Sequence, residues 1–454
     1  MRILFVSLGC DKNRVDTEVM LGMLEASGHS FTDDEDEAEA AVVNTCCFIG
    51  DAKQESINTI LELAERRTAG QLKALVVTGC LAQRYRGEIL KEIPEVDAIL
   101  GTTAIDCIVR AIDDVCRERS SPYKSYFDDI NRKPLGGRRR IITTGGLFDY
   151  LKIAEGCDKR CTYCIIPKVR GNYRSVPMEE LLSEAKALAE GGITELLVVA
   201  QETTLYGTDL YGKKMLPELL HSLCGIEGIK WIRILYCYPE EINEELIQTI
   251  KSEPKICHYL DLPIQSGSDR ILKLMGRRTT GAEIRELVRH LREEIPDICL
   301  RTTLISGFPG ETAKDHNMTM ELVRDLRFDR LGVFTYSREE DTAAADMPGQ
   351  VSERTKNTRR NKIMRLQQEI AFETASGMVG RVVEAVIEGR ITDTDDDEGY
   401  SYVARTYKDA PDIDGYLFIT GVMRELMTGD YVKVLITGSN EYDLIGELRD
   451  EFTK

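Results

Sequence analysis

The chain has 454 residues, 42% hydrophobic and 30% charged, the balance of an ordinary soluble globular protein with room for about three domains. No apolar run approaches the ~20 residues that cross a bilayer, and the opening MRILFVSLGC has no apolar segment of signal-peptide length, so a cytoplasmic enzyme with no membrane partner is expected. A formal net charge of −18 argues against a surface built to track nucleic-acid phosphates and favours a basic partner, although a local basic groove would escape this count.

Residues 1–118 alternate strand and helix patterns: a buried-strand run at 3–8, a helix through Val15, Val19, Leu21 and Leu24 that stops at Gly28, a strand at 41–45, a helix at 52–67, and a strand at 74–78 before another helical stretch. This alternation predicts a parallel sheet with helices on both faces. The acidic run 33–39 reads as a solvated loop. Thirteen cysteines without an export signal point to metal or redox chemistry rather than disulfides, and the five scattered histidines form no HExxH pair.

Three of the cysteines, Cys10, Cys46 and Cys80, each fall just past the carboxyl end of a predicted strand, the edge at which open parallel sheets bind ligands. Any one alone is more simply a small hydrophobe capping a strand. Three in matching positions favour a shared site to which separate strand ends deliver thiolates. Cys47, Cys107 and Cys116 lack that repeated context and read as structural.

Residues 119–140 are polar, rich in Pro and Gly, and end in the basic triplet 138–140; they read as a linker with a solvated charge run. Strand–helix alternation then resumes over 141–375. A strand at 150–154 leads into Cys157, Cys161 and Cys164, spaced C-x3-C-x2-C, and Pro177 opens an amphipathic helix that Gly191-Gly192 stops. Further strands are expected at 195–200, 231–237, 259–264, 300–305 and 331–336. Six parallel strands with intervening helices suggest a partial, open α/β barrel, whose chemistry sits at the carboxyl strand ends.

The three loop cysteines can aim at one centre, but eight residues cannot close a tetrahedral zinc site without a fourth ligand from elsewhere. Three thiolates suit three irons of a cubane cluster and leave the fourth iron open. A zinc knuckle or three inert thiols are the weaker accounts, because loop thiols this dense are rarely just packing. Cys224, Cys237, Cys257 and Cys299 fall in or near core elements and read as buried thiols.

A long helix is expected at 352–373, followed by short strands at 381–387, 400–405, 416–419, 431–437 and 442–448, a pattern for a small OB-like barrel over 377–447. From 377 to 454 the chain carries 8 Lys and Arg against 17 Asp and Glu. An acidic barrel of this kind would attract a basic protein rather than RNA, unless the acids serve solubility alone.

The loop spacing, with Tyr163 just before its last cysteine, resembles the signature of radical S-adenosyl-L-methionine (SAM) enzymes. The segments Gly9-Cys10-Asp11-Lys12-Asn13, Asn44-Thr45-Cys46 and Thr78-Gly79-Cys80 resemble the cysteine motifs of the methylthiotransferase family's N-terminal domain, and the tail resembles its TRAM domain. That resemblance implies two [4Fe–4S] clusters, one on Cys157, Cys161 and Cys164 and the second on Cys10, Cys46 and Cys80. It places SAM near Tyr163 and near Gln201 and Glu202 (which depart from the family's simple GGE form); the glycine-containing loop at Ser306 and Gly307, after the fifth strand, would let backbone approach the ribose or adenine, or is simply a tight turn. The segments GCDKNRVDTEVM, AQETTLYGTDLYG and ARTYKDAPDIDGYLFI resemble the branch that modifies an aspartate of small-subunit ribosomal protein uS12, free or in the assembled small ribosomal subunit. A tRNA-modifying branch shares all six cysteines and differs in substrate alone; an iron–sulfur carrier would need the clusters but no SAM pocket. The sulfur source and electron donor are not legible.

Overall fold

Short hydrophobic runs at the start of the chain pair as the parallel strands β1 (Arg2–Ser7), β2 (Ser30–Thr32), β3 (Ala40–Thr45), β4 (Ala74–Gly79), β5 (Ala98–Leu100) and β6 (Lys124–Tyr126), in the order β2-β1-β3-β4-β5-β6. The computed structural model describes residues 1–117, 124–391 and 399–449. β3 and β4 are buried at every residue, as central strands covered on both faces must be. Helices Asp11–Ala26 and Ile108–Arg117 cover one face of the sheet and Gly50–Thr68 and Cys80–Glu92 the other, forming two separate cores.

The stretch read as a linker is partly built into this unit. Residues 119–123 lie outside the described residues, but β6 joins the sheet edge by pairing with β5, Leu100 opposite Tyr126. Its basic triplet is also split. Arg139 stays exposed beside Glu25. Arg140, expected in solvent, is buried at 2% side-chain exposure and meets Glu18 at 2.5 Å, Asp149 at 2.6 Å and Glu184 at 2.7 Å. Three buried carboxylates converge there from three elements, and leaving them unpaired costs more than drawing one guanidinium out of water.

The second sheet contains β7 (Phe148–Lys152), then after the two-residue ribbon β8 (Ala154–Glu155) and β9 (Arg174–Ser175) the strands β10 (Glu195–Val199), β11 (Trp231–Ile234), β12 (Ile256–Asp261), β13 (Cys299–Ser306) and β14 (Arg330–Thr335). Its order β14-β13-β12-β11-β10-β7 is parallel throughout, and β7 does not pair with β14, so the barrel stays open. On β13, Leu300, Thr302 and Leu304 are buried, two of them in the core under the helices, while Arg301, Thr303 and Ile305 face the concave side and are only partly covered.

The helix Glu353–Ser376 sends Ile363 and Ile370 into the same core. It leads to a closed barrel of β15 (Val382–Ile391), β16 (Tyr400–Thr406), β17 (Leu417–Val422), β18 (Tyr431–Asn440) and β19 (Asp443–Leu448), ordered β15-β16-β17-β19-β18. Seven of the tail's acids, at 393, 395–398, 450 and 451, lie outside the described residues. This small barrel is docked on the larger one through Glu195, whose carboxylate accepts from Arg233 and Arg405, each at 2.8 Å, with all three side chains at most 1% exposed. Beside them Tyr431 meets Trp231 edge to face at 5.1 Å. Among the described residues no helix is long and apolar enough to cross a membrane.

Candidate active site

The C-x3-C-x2-C loop follows β8, beyond the carboxyl end of β7. Gly156 turns the chain with φ +80°, and a Cβ there would lie 2.1 Å from the Asn172 carbonyl oxygen, so only glycine fits this close approach. The Cys157 amide donates to Gly171 O at 3.1 Å. Midway round the loop the Thr162 amide donates to Met275 O at 2.9 Å, its hydroxyl to Leu274 O at 2.8 Å, and its carbonyl accepts from Ala344 N at 2.8 Å. Three distant segments thus hold one short loop rigid. Cys161 Sγ stands 3.6 Å from the Tyr238 hydroxyl. Burial pushes the Cys157 thiol up to about 12 and the Cys164 thiol above its usual range, so without a compensating positive centre both stay protonated.

Around the loop lie buried polar atoms without a partner: Gln201 Oε1, Glu202 Oε2, the Tyr173 hydroxyl, and Nε and Nη1 of Arg277. Such groups are costly in isolation and mark a place for a polar ligand. Gln201 is oriented by donating through Nε2 to Glu155 Oε1 at 2.8 Å, and Glu202 Oε1 accepts from the Thr204 amide at 3.1 Å. Burial raises the Glu202 carboxyl to about 7. Tyr163 packs edge to face on Phe308 at 6.4 Å. In the neighbouring loop the Ser306 hydroxyl donates to Lys356 O of the last long helix at 2.9 Å and the Gly307 amide to Glu311 of its own loop at 3.1 Å, so both donors are already engaged.

The second set of cysteines comes from three strand ends. Cys10 caps the helix Asp11–Ala26, Cys46 follows β3, and Cys80 opens the helix after β4. Glycines allow the approach. Gly9 has φ +93°, and a Cβ on it would sit 2.6 Å from Cys46 Cβ; Gly79, at φ +91°, lies against Asn44 and Thr45. Asn13 ties the ends together, its amide donating to Leu8 O and Thr45 O, each at 2.9 Å. Burial, with Cys80 and Cys10 alongside, pushes the Cys46 thiol up to about 12. Among the described residues no three His, Cys, Asp or Glu side chains are placed to share a single metal ion. The ligands of a cubane each bind a different iron and stand farther apart, so both triads retain the donor chemistry for such a cluster.

Between Cys80 and Glu155, which precedes the C-x3-C-x2-C loop, lies a layer of charge that sequence reasoning missed. Arg170 reaches Cys80 on one side and Glu155 on the other; Lys152 pairs with Asp16 and, at 2.9 Å, with Glu155. Lys12 is buried against Asp11 at 2.8 Å and lies 3.2 Å from the Tyr236 ring centroid. Farther along the concave wall the Arg301 guanidinium stands 3.9 Å from Asp261, beyond hydrogen-bonding distance, with 21% of its side chain exposed. A charged residue looks the same in composition whether solvated or buried, so only the Asp11-Lys12-Asn13 run beside Cys10 could have drawn attention to this layer.

Three families match in sequence: Uncharacterized protein family UPF0004 over residues 2–101, the Radical SAM superfamily over 151–323 and the TRAM domain over 379–448. The chain is 60% identical to "Ribosomal protein uS12 methylthiotransferase RimO" of Lachnoclostridium phytofermentans, covering 98% of this chain and 99% of that one. It is 49% identical to the protein of the same name from Acetivibrio thermocellus, over 99% and 98% of the two chains. In fold it resembles the radical SAM methyltransferase TsrM from Kitasatospora setae, with a TM-score of 0.55 at 15% identity over 76% of this chain and 73% of that one. Full-length identity at this level, carried by a chain with both cysteine sets in place, shows that the protein belongs to the RimO family of ribosomal protein uS12 methylthiotransferases.

Proposed function

We propose that Cys157, Cys161 and Cys164 hold the [4Fe–4S] cluster that cleaves SAM, and that Cys10, Cys46 and Cys80 hold the [4Fe–4S] cluster that presents sulfur to the target. The chain is a radical SAM methylthiotransferase acting on ribosomal protein uS12, and the aspartate β-carbon is the position that receives sulfur and then methyl. The observation that carries the reading is the approach of both cysteine sets to one charged layer, with Arg170 in contact with Cys80 and with Glu155, two residues before Cys157. When bound, the clusters and SAM supply the radical chemistry, removal of hydrogen from an unactivated carbon, for which no side chain has the acid–base strength.

The chain's own residues bind and orient. Gln201 Oε1 and Glu202 Oε2 are buried acceptors suited to the ammonium of SAM, and the unpartnered N–H groups of Arg277 are suited to its carboxylate. Arg301, held beside Tyr259, Asp414 and Asp261, offers a partly exposed guanidinium to the carboxylate of the target aspartate. The acidic tail supports a basic protein partner, reached in the cytoplasm where ribosomes are assembled.

The test is an oxygen-free assay with labelled methyl-SAM in which small ribosomal subunits and bulk tRNA compete. A methylthio group on one uS12 aspartate, found by mass spectrometry, is the expected result; label on tRNA would keep the chemistry and overturn the substrate. Arg301→Gln is expected to raise KM for the subunit about tenfold or more while SAM cleavage continues, the loss of one charged hydrogen-bonded contact.

A further inference from the structure

Arg170 ends the short helix Ile166–Arg170 and is 1% exposed, among the most deeply buried large side chains in the chain. Its Nε donates to Cys80 Sγ at 3.4 Å; Nη1 donates to Asp16 Oδ2 at 2.6 Å and to Glu155 Oε2 at 3.1 Å; Nη2 donates to Asn13 Oδ1. A buried guanidinium is costly to desolvate and persists when its partners repay it. Three of those partners are accounted for as structure. The fourth is a thiol that the proposed function makes an iron ligand.

Hydrogen bonds to ligating sulfurs and nearby positive charge stabilise the added electron of a reduced cluster, whereas burial away from water opposes it. Arg170 applies both favourable effects at Cys80 within a buried site. Glu155 opposes them, because its carboxylate neutralises the same guanidinium.

We propose that Arg170 is a positioning residue that sets the reduction potential of the N-terminal cluster through its Nε–H···S bond to Cys80, and that Glu155 limits this effect. The inference rests on the reading of Cys10, Cys46 and Cys80 as cluster ligands. It makes the N-terminal cluster easier to reduce than its burial alone would allow. It also places the element controlling that potential on the segment that follows the SAM-binding loop.

The test uses the full chain with Cys157, Cys161 and Cys164 replaced by alanine, so that only the N-terminal cluster is loaded, and reads its potential by a redox titration followed by electron paramagnetic resonance. Arg170→Gln is expected to lower the potential by about 59 mV or more, about tenfold in the one-electron equilibrium. Arg170→Lys, which keeps the charge and loses the fork, is expected to lower it by less. Glu155→Gln is expected to raise it. A merely structural arginine would reduce iron content or thermal stability without this opposition of sign. Arg170→Gln loaded to parental iron content with an unchanged potential overturns the inference, as does a Glu155→Gln shift in the same direction as Arg170→Lys. Should Arg170→Gln take up no iron, the opposite shifts of Arg170→Lys and Glu155→Gln remain the expected result. A parental background that binds no iron overturns the ligand reading itself, and iron content alone tells that failure apart.

Discussion

The two cysteine sets solve one problem in opposite ways. In the loop, three thiols lie within eight residues, and one tethered segment fixes their geometry. In the N-terminal domain, Cys10, Cys46 and Cys80 meet only because β1, β3 and β4 pair in register, with Ser7 opposite Asn44 and Thr45 opposite Gly79. The first geometry is local, whereas the second is a property of the folded sheet and exists only once long loops have closed. A site of the second kind is more sensitive to any change that shifts a strand end.

Substitution of the proposed ligands should separate the sets most sharply. Alanine at Cys157, Cys161 or Cys164 is expected to abolish SAM cleavage, whereas alanine at Cys10, Cys46 or Cys80 is expected to spare cleavage and stop sulfur insertion, with 5′-deoxyadenosine and methylthiolated uS12 measured in parallel. Retained methylthiolation in the second group would break the comparison. Next in size is Arg140→Met, which leaves Glu18, Asp149 and Glu184 buried without their cation. Because Glu18 lies on the helix capped by Cys10 and Asp149 on the strand leading to Cys157, a loss of about 3–5 kcal/mol in urea unfolding is expected, with both sites affected. Gly9→Ala pits a new Cβ against Cys46 at a left-handed φ. It should cost about 1–3 kcal/mol of local strain and empty the N-terminal site, so that iron content falls by half while SAM cleavage persists.

The smallest effect is a pH slope. The buried Glu202 carboxyl titrates at about 7 rather than at its ordinary 4.5. Between those values the folded chain keeps a proton that the unfolded chain has lost, so stability of the iron-free protein is expected to fall as pH rises across that window, by at most about 1.4 kcal/mol per unit. Glu202→Gln should remove this contribution; an unchanged slope in the thermal midpoint between pH 5 and 7 would show that Glu202 titrates elsewhere.

Sequence patterns carried the fold far because strands buried on both faces read as unbroken apolar runs: β3 is AAVVNT and β4 ALVVTG. The three-residue strands β2 and β5 were too short to show a period, and the edge strand β6, with sequence KSY, carries no apolar run at all. At the site, the cysteines were legible because their spacing or strand-end position repeats. Arg170 and Arg140 were not, since a buried ion pair is a relation between residues distant in sequence. The triplet at 138–140 gave no sign that one member would be buried and its neighbour solvated.

Glu195 carries a consequence for how such chains can be recombined. Its carboxylate is shared, out of contact with water, between Arg233 of the large barrel and Arg405 of the small one. The tail is therefore not a cassette. A chimera that imports a tail lacking an arginine at the place of Arg405 inherits a half-compensated charge at its joint. Retargeting this scaffold to a different macromolecule requires exchanging the tail together with the residues that receive it, so the joint constrains substrate choice as firmly as the outer surface does.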